Sequence, residues 1–436
     1  METSFLLLKN RVVKNAGWII GCKVVQAILG FFITMLTARY MGPSNYGTIS
    51  YAASVIAFVS PIAKLGLDAI LVNELINRPE EEGKTLGTSI ALSFSSSVIC
   101  VIGIMVFHVF ADPGDKVTII VCTLYSLVLL ANAVELVMCW FHAHLMSQYS
   151  ALAILTAYLV KAAYQIWLLV NGKSLFWFAC IAVLDVAAID INLLVQYKRR
   201  GTQKLVVSFM RGKELLSKSK YYVTSNMLTA IFAQAGTILL HLLTDEVSTG
   251  YYAAAVTCTG LTGFVFAAII DSMRPAILQA HKESEESFRK NMRQLYAVII
   301  YLSLAQSVVM TLLAKPIIFI LYGESYMPAV RAMQLTVWYT TFSYAGPVRD
   351  IWILAKEKQR YIWVINLLGA VLNVVLNALV IPVWGINGAA LATVITQVFT
   401  NFILGFILKP IRDNNRLMLE ALNIGALYRE IKGLTR

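Results

Sequence analysis

Apolar runs long enough to cross a bilayer recur along almost the whole 436-residue chain, and they constrain its fold more than any other feature. A hydrocarbon core takes about 20 apolar residues per helix. Breaking such runs at Pro, Gly and charge clusters leaves twelve spans, roughly 16–38, 46–76, 84–110, 117–140, 149–170, 174–197, 220–243, 249–272, 294–322, 332–355, 361–382 and 385–408. Pro61, Lys64 and Asp68 interrupt the second and Pro316 the ninth. With 58% hydrophobic and 14% charged residues, the composition excludes a soluble enzyme, a disordered chain and a conventional nucleic-acid binder.

Charge then orients the spans. Of 36 Lys and Arg, 27 lie in the connections on one side if the N-terminus is placed in the cytoplasm, against only Arg39, Lys116, Lys173 and Arg331 on the other. Cytoplasmic connections are enriched in cations, so both termini are expected inside the cell. The six cysteines all sit in apolar stretches without a Cys-x-x-Cys pair and read as small buried hydrophobes. Phe5–Leu8 is too short for the apolar core of a signal peptide.

The longest polar connection carries Lys198, Arg199, Arg200, Lys204, Arg211, Lys213, Lys218 and Lys220 and separates six spans from six. Its basic residues set topology and attract anionic lipid. The expected organisation is a cytoplasmic segment at 1–15, an N-terminal six-helix lobe at 16–197, a basic cytoplasmic linker at 198–219, a C-terminal six-helix lobe at 220–408 and a cytoplasmic tail at 409–436. A weak repeat accompanies the halves: the turn from Arg39 to Gly47 leads into Tyr51-Ala52-Ala53, and that from Thr244 to Gly250 into Tyr251-Tyr252-Ala253-Ala254. An even number of spans per half gives both the same orientation.

A charge at the bilayer centre costs roughly 2.5–3.5 kcal/mol on insertion scales, so each should face a cavity or a partner. Such residues are Lys23, Lys64, Asp68, Glu74, Glu135, Lys161, Asp185 and Asp190 in the first half, and Asp271, Lys315, Arg349 and Asp350 in the second. Lys64 and Asp68, four apart, can bridge on one helix. Asp185 and Asp190 lie toward the cytoplasmic end, where water or Lys198–Arg200 can serve them, and the adjacent Arg349 and Asp350 point in different directions. Lys23, Lys161 and Glu135 have no local partner. The two lysines either line a water-filled cavity or neutralise Glu135 or another buried acid. Unpaired cations in a low-dielectric cavity attract an anion, which makes Lys23, Lys64, Lys161 and Arg349 the candidate substrate-binding residues. Glu135, Asp68 and Asp271 are the candidate ion-coupling acids, because a carboxylate in such surroundings resists ionisation unless paired.

Catalytic patterns are missing. Asn171-Gly-Lys-Ser174 lacks the upstream glycine of a phosphate-binding loop, and His142 and His144 have no further ligand at metal spacing. No connection is long enough to house a catalytic domain. A transporter without cofactor or metal is therefore expected rather than an enzyme.

Four segments then carry a resemblance. Ala38-Arg39-Tyr40-Met41-Gly42-Pro43-Ser44-Asn45-Tyr46-Gly47 resembles the ARxLGPxxYG signature of the polysaccharide transporters in the multidrug/oligosaccharidyl-lipid/polysaccharide exporter superfamily. Gly250–Ala254, Leu321–Ala329 and Asn373–Ala390 resemble the same family in order. The resemblance implies an all-α polytopic membrane protein of about 12 helices in two six-helix lobes around a central cavity. It also implies a Wzx-like flippase of the bacterial inner membrane, moving undecaprenyl-pyrophosphate-linked oligosaccharide from inner to outer leaflet for O-antigen, capsule or exopolysaccharide synthesis. Its implied partners are that lipid-linked substrate, membrane lipid and a polysaccharide polymerase or chain-length regulator, with no nucleic acid. A multidrug exporter of the same superfamily and a membrane-embedded sugar polymerase or ligase are the alternatives.

Overall fold

The computed structural model describes the backbone of residues 2–111, 113–201 and 203–422, and the side chains among them from Gly30 onward. Among these residues the regular structure is entirely helical. The chain divides into two compact units, residues 1–230 and 231–436.

The first unit contains α1 (Glu2–Lys64), α2 (Leu67–Asn77), α3 (Glu82–Ala111), α4 (Lys116–Glu135), α5 (Val137–Ala143), α6 (Ser147–Val170), α7 (Leu175–Arg200) and the first part of α8 (Phe209–Leu243). The rest of α8 opens the second unit, followed by α9 (Glu246–Gly260), α10 (Gly263–Glu283), α11 (Glu285–Tyr322), α12 (Ala329–Thr336), α13 (Trp338–Ser343) and α14 (Ala345–Ala355). Then come α15 (Arg360–Val398), a π-helical turn at Phe399–Ile403, α16 (Leu404–Ile407) and α17 (Arg412–Glu420).

Nine helical stretches among the described residues are long and apolar enough to cross a membrane. Two of them, Gly30–Asn77 and Arg360–Ile407, run to 48 residues, and each contains a glycine at which the helix turns without unravelling. Gly42 has φ 74° and ψ 172° and Gly385 has φ 50° and ψ −128°, conformations that a Cβ makes costly. Each stretch is therefore a pair of spans. Residues 329–355 break at Val337 and Tyr344 into three helices too short to count alone. The twelve expected spans are all present as helix.

The expected interruptions fall differently. Pro316 lies inside a continuous α11. The second span breaks at Leu65 and Gly66, both with positive φ, rather than at Pro61. Acidic and hydroxyl caps fix several starts: the Asp115 carboxylate accepts from Val117 N and Thr118 N, Asp245 from Ser248 N, and Ser284 Oγ from Ser287 N.

Buried Trp140, Phe141, Leu67, Leu71, Leu193 and Leu215 knit α2, α5, α7 and α8 into the core of the first unit. Phe288, Met292, Tyr296, Trp352, Ile365 and Met418 do the same in the second for α11, α14, α15 and α17. Residues 203–208, within the stretch expected as a linker, are packed onto the first unit. Val206 N donates to Gly83 O (3.2 Å), Gly83 N to Gln203 Oε1 (2.9 Å) and Ser208 N to Thr88 Oγ1 (3.0 Å). A Cβ on Gly83 would collide with the Lys204 carbonyl oxygen, so the close approach depends on that glycine.

Candidate functional site

The ten-residue signature shapes one wall of the first unit. Gly42 makes the turn, Pro43 supplies a preset φ for the helix that follows, and Asn45 Nδ2 donates to Met41 O at 3.1 Å. Tyr40 stacks on Phe178 with centroids 5.7 Å apart, and Tyr46 is buried. A cavity of about 240 Å³ lies behind this turn, lined by Thr37, Tyr46, Ser50, Tyr125, Lys161 and Gln165 among others. Gln165 Nε2 donates to Thr37 Oγ1 at 2.6 Å.

Lys161 brings charge to that cavity. Its ammonium lies 2.7 Å from Asp185 Oδ2 and 5.6 Å from the centre of the Tyr158 ring. Lys161 thus both lines a cavity and pairs with an acid. Asp185 is correspondingly served by α6 and not by the Lys198–Arg200 cluster. The two residues are 24 apart, a relation that arises only when α6 and α7 pack.

Lys64 does not bridge to Asp68. The positive φ values at Leu65 and Gly66 end α1 between them, so the helical i,i+4 relation is lost, and Asp68 is exposed. Lys64 Nζ instead meets Glu135 Oε2 at 3.0 Å, with the side chains 25% and 29% exposed. Two of the candidate residues are thus joined, one proposed for substrate and one for coupling. Asp271 is exposed on α10. The side chain of Lys23 lies outside the described residues.

Arg349 is 6% exposed and does turn to its neighbour, contrary to expectation: Nε and Nη2 donate to Asp350 Oδ1 at 3.1 and 2.9 Å. Its Nη1 donates to Asn401 Oδ1 (2.9 Å) and to Thr400 O (3.2 Å), both within the π-helical turn. A π-turn displaces backbone carbonyls from the α-helical ladder, and one of them receives the guanidinium. Arg349 is held on several sides within the second unit.

Two groupings were not legible beforehand. One lies where residues 203–220 meet α2 and α3. Arg211 donates to Glu74 (2.9 Å), Glu214 (2.6 Å) and Thr85 Oγ1 (3.1 Å), Arg78 holds Glu214 through two bonds, and Lys218 bridges both acids. Hydrogen bonds from Lys218 and Arg211 pull the Glu214 carboxyl down to about 2, and the bonds to Glu74 and Glu214 raise Lys218. The signal available in advance was the pair of acids Glu74 and Glu214 amid the cations, 140 positions apart in the chain. The second is Asp190 on α7, which is buried at 6% exposure. Separately, Glu82 accepts from Trp140 Nε1 (2.9 Å) and lies 3.0 Å from His144 Nε2, a partner that sequence spacing around His144 does not reveal.

Helices of membrane length carrying lysine–carboxylate pairs inside the spans define a polytopic membrane protein with buried charge, and its fold is found in solved transporters. A structure of the lipid II flippase MurJ in an inward closed conformation matches with TM-score 0.73 and 15% identity, over 92% of this chain and 90% of that one. An inward-facing multidrug resistance MATE family transporter of the MOP superfamily matches with TM-score 0.68 and 14% identity, over 90% and 95%. A MOP superfamily transporter from Pyrococcus furiosus, described as having a binding pocket of reversed polarity, matches with TM-score 0.60 and 13% identity, over 94% and 96%. No curated protein matches by sequence. The fold is therefore that of the MOP transporters. A family model for polysaccharide biosynthesis proteins matches residues 12–281, and the chain belongs to that family.

Proposed function

We infer that the protein is a flippase for undecaprenyl-pyrophosphate-linked oligosaccharide repeat units. It carries them from the inner to the outer leaflet of the bacterial cytoplasmic membrane for O-antigen, capsule or exopolysaccharide synthesis, in an ion-coupled alternating-access cycle. Membership of the polysaccharide biosynthesis family supports the substrate class. The observation that carries the reading is Lys161, a membrane-embedded ammonium at the edge of a cavity lined by both polar and apolar side chains, neutralised by one carboxylate. A pyrophosphate oxygen offers that ammonium the same kind of acceptor as Asp185, with more charge. Lys64 and Lys23 are assigned the same role, Arg349 a supporting one in the second unit, and Glu135, with Asp68 and Asp271, the coupling role. A polymerase or chain-length regulator is the expected protein partner.

The test is a reconstituted leaflet assay with lipid-linked oligosaccharides of differing sugar composition. The parent is expected to move them, and Lys161→Gln to reduce the rate at equal reconstitution. Movement of small cationic drugs without any lipid-linked oligosaccharide would replace this reading with that of a multidrug exporter.

A further inference from the structure

The contact between His144 and Glu82 requires one proton more than a neutral imidazole and a carboxylate carry between them. His144 Nδ1 lies 2.9 Å from Trp140 O, an atom that only accepts, so Nδ1 bears a hydrogen. Nε2 lies 3.0 Å from Glu82 Oε1, a distance at which two lone pairs repel, so a second hydrogen sits between them. Glu82 is the first residue of α3, where the helix dipole favours an anion, and its Oε2 accepts from Trp140 Nε1 at 2.9 Å. The imidazole lies over the Trp140 indole with ring centroids 4.2 Å apart. These contacts place the extra proton on His144, as an imidazolium.

Exposure divides the pair. Glu82 is 6% exposed, whereas the His144 side chain is 34% exposed and exchanges protons with the adjoining aqueous phase. Histidine is the side chain that ordinarily changes charge between about pH 5 and 8. Loss of the proton leaves a buried carboxylate facing a lone pair, which drives it toward water. Glu82 cannot move alone, because its neighbour Gly83 is where residues 203–208 dock. Gly83 N donates to Gln203 Oε1, Gly83 O accepts from Val206 N, and the Lys204 carbonyl leaves no room for a Cβ on Gly83. Tyr197 of α7, edge-on to Trp140 with centroids 5.1 Å apart, donates to Gln203 O. Other charges on the packed elements are committed elsewhere: Glu81 to Lys84 and Arg78, Glu74 of α2 to Arg211 and Lys218, and Arg200 to the Tyr149 ring of α6. The titratable chain neighbours are Cys139 and His142 on α5 and Lys204 beside Gln203.

We propose that His144 and Glu82 form a pH-sensitive latch for residues 203–208, the segment that leads into α8. With the proton bound, Glu82 stays buried and the segment is docked, the arrangement in the structure. On its release Glu82 turns to water, the first turn of α3 shifts, and Gly83 lets the segment go. Trp140 at the same time loses the two groups that fix it against Tyr197, the donor to Gln203. The sign follows from the proton count. The docked state holds the proton more tightly than the released one, so docking is complete at low pH and is lost as pH rises. A single proton limits the slope to about a tenfold fall in the docking constant per pH unit. Because α8 begins at Phe209 and continues into the second unit, the pH on this side of the membrane sets how firmly that helix is anchored at its start. The latch does not depend on which substrate the protein moves.

The test is amide hydrogen exchange of the full-length protein in lipid vesicles, read by mass spectrometry on peptides covering 203–208. Rates are taken at about pH 6 and about pH 8.5 and divided by the intrinsic exchange rate at each pH. The amides of Val206 and Ser208, which donate to Gly83 O and Thr88 Oγ1, report docking. In the parent their protection is expected to fall about tenfold or more at the higher pH. Glu82→Gln is expected to stay protected at both, because its amide still accepts from Trp140 and donates to the Nε2 of a neutral His144. His144→Leu, which leaves Glu82 without that partner, is expected to be unprotected at both. Equal protection of the parent at the two pH values overturns the proposal. Retained protection in His144→Leu overturns it too, as does any result for Glu82→Gln other than protection independent of pH. The isosteric Glu82→Gln variant keeps the test decisive if His144→Leu fails to fold.

Discussion

Individual charges in this protein are stabilised by partners far away in the chain, and the consequences differ with burial. Arg211 is almost wholly buried and is the donor that Glu74, Glu214 and Thr85 share. Replacing it with Met leaves Glu74 buried with Lys218 as its remaining cation. Breaking a buried pair on one side strands the other charge, and a loss of about 3 kcal/mol is expected. Lys84 and Glu81 form an ion pair of similar length, 3.1 Å, but both are only half-buried and reached by solvent. Lys84→Met should cost well under about 1 kcal/mol, since solvent screens such pairs. Thermal unfolding of the two variants in detergent measures the contrast. Equal effects would mean that the Arg211 network contributes nothing beyond surface charge.

At the scale of elements, the places where helices turn follow from backbone conformation more than from apolar length. Gly42 has open space where a Cβ would stand, so its requirement for glycine is conformational and not steric. Its φ and ψ fall in a region that even Asn avoids, whereas Gly172, after α6, has φ 62° in a helix-ending turn where Asn is the usual substitute. Gly42→Asn should therefore cost about 1–3 kcal/mol and Gly172→Asn far less. Unfolding midpoints again decide, and a Gly42→Asn variant as stable as the parent would remove the conformational explanation of the signature glycine.

These elements also show what a one-dimensional reading reaches. Partition between water and hydrocarbon is a property of the local run, and so the twelve spans could be read directly, as could the turn at Gly42 from its Gly-Pro pair. Lys64–Glu135, Lys161–Asp185 and Arg211–Glu74 span 71, 24 and 137 residues and exist only once helices pack. The local alternative for Lys64 failed because two residues with positive φ, one of them Leu65, end the helix where apolar character continues. Asp190 looked like an acid near water because its position along the span was visible and the side of α7 it occupies was not.

For the whole molecule, orientation is the property that the cation distribution bears on most directly. If 27 cations in alternate connections direct insertion, residues 203–220 face the cytoplasm and the α6–α7 turn faces outward. Both regions offer exposed positions, Lys213 and Asn171. The native cysteines among the described residues are buried or half-buried, so a new exposed thiol should dominate labelling. Asn171→Cys should react with a membrane-impermeant maleimide in intact cells. Lys213→Cys should react only after the membrane is opened or inverted. Moving the bias tests the cause as well as the outcome. Neutralising Lys198, Arg199 and Arg200 together removes three cations beside one connection and leaves 24 against four, so the labelling pattern should persist with the orientation unchanged. A reversed pattern in the parent would place the basic connection outside, and the charge asymmetry would then need an explanation other than insertion.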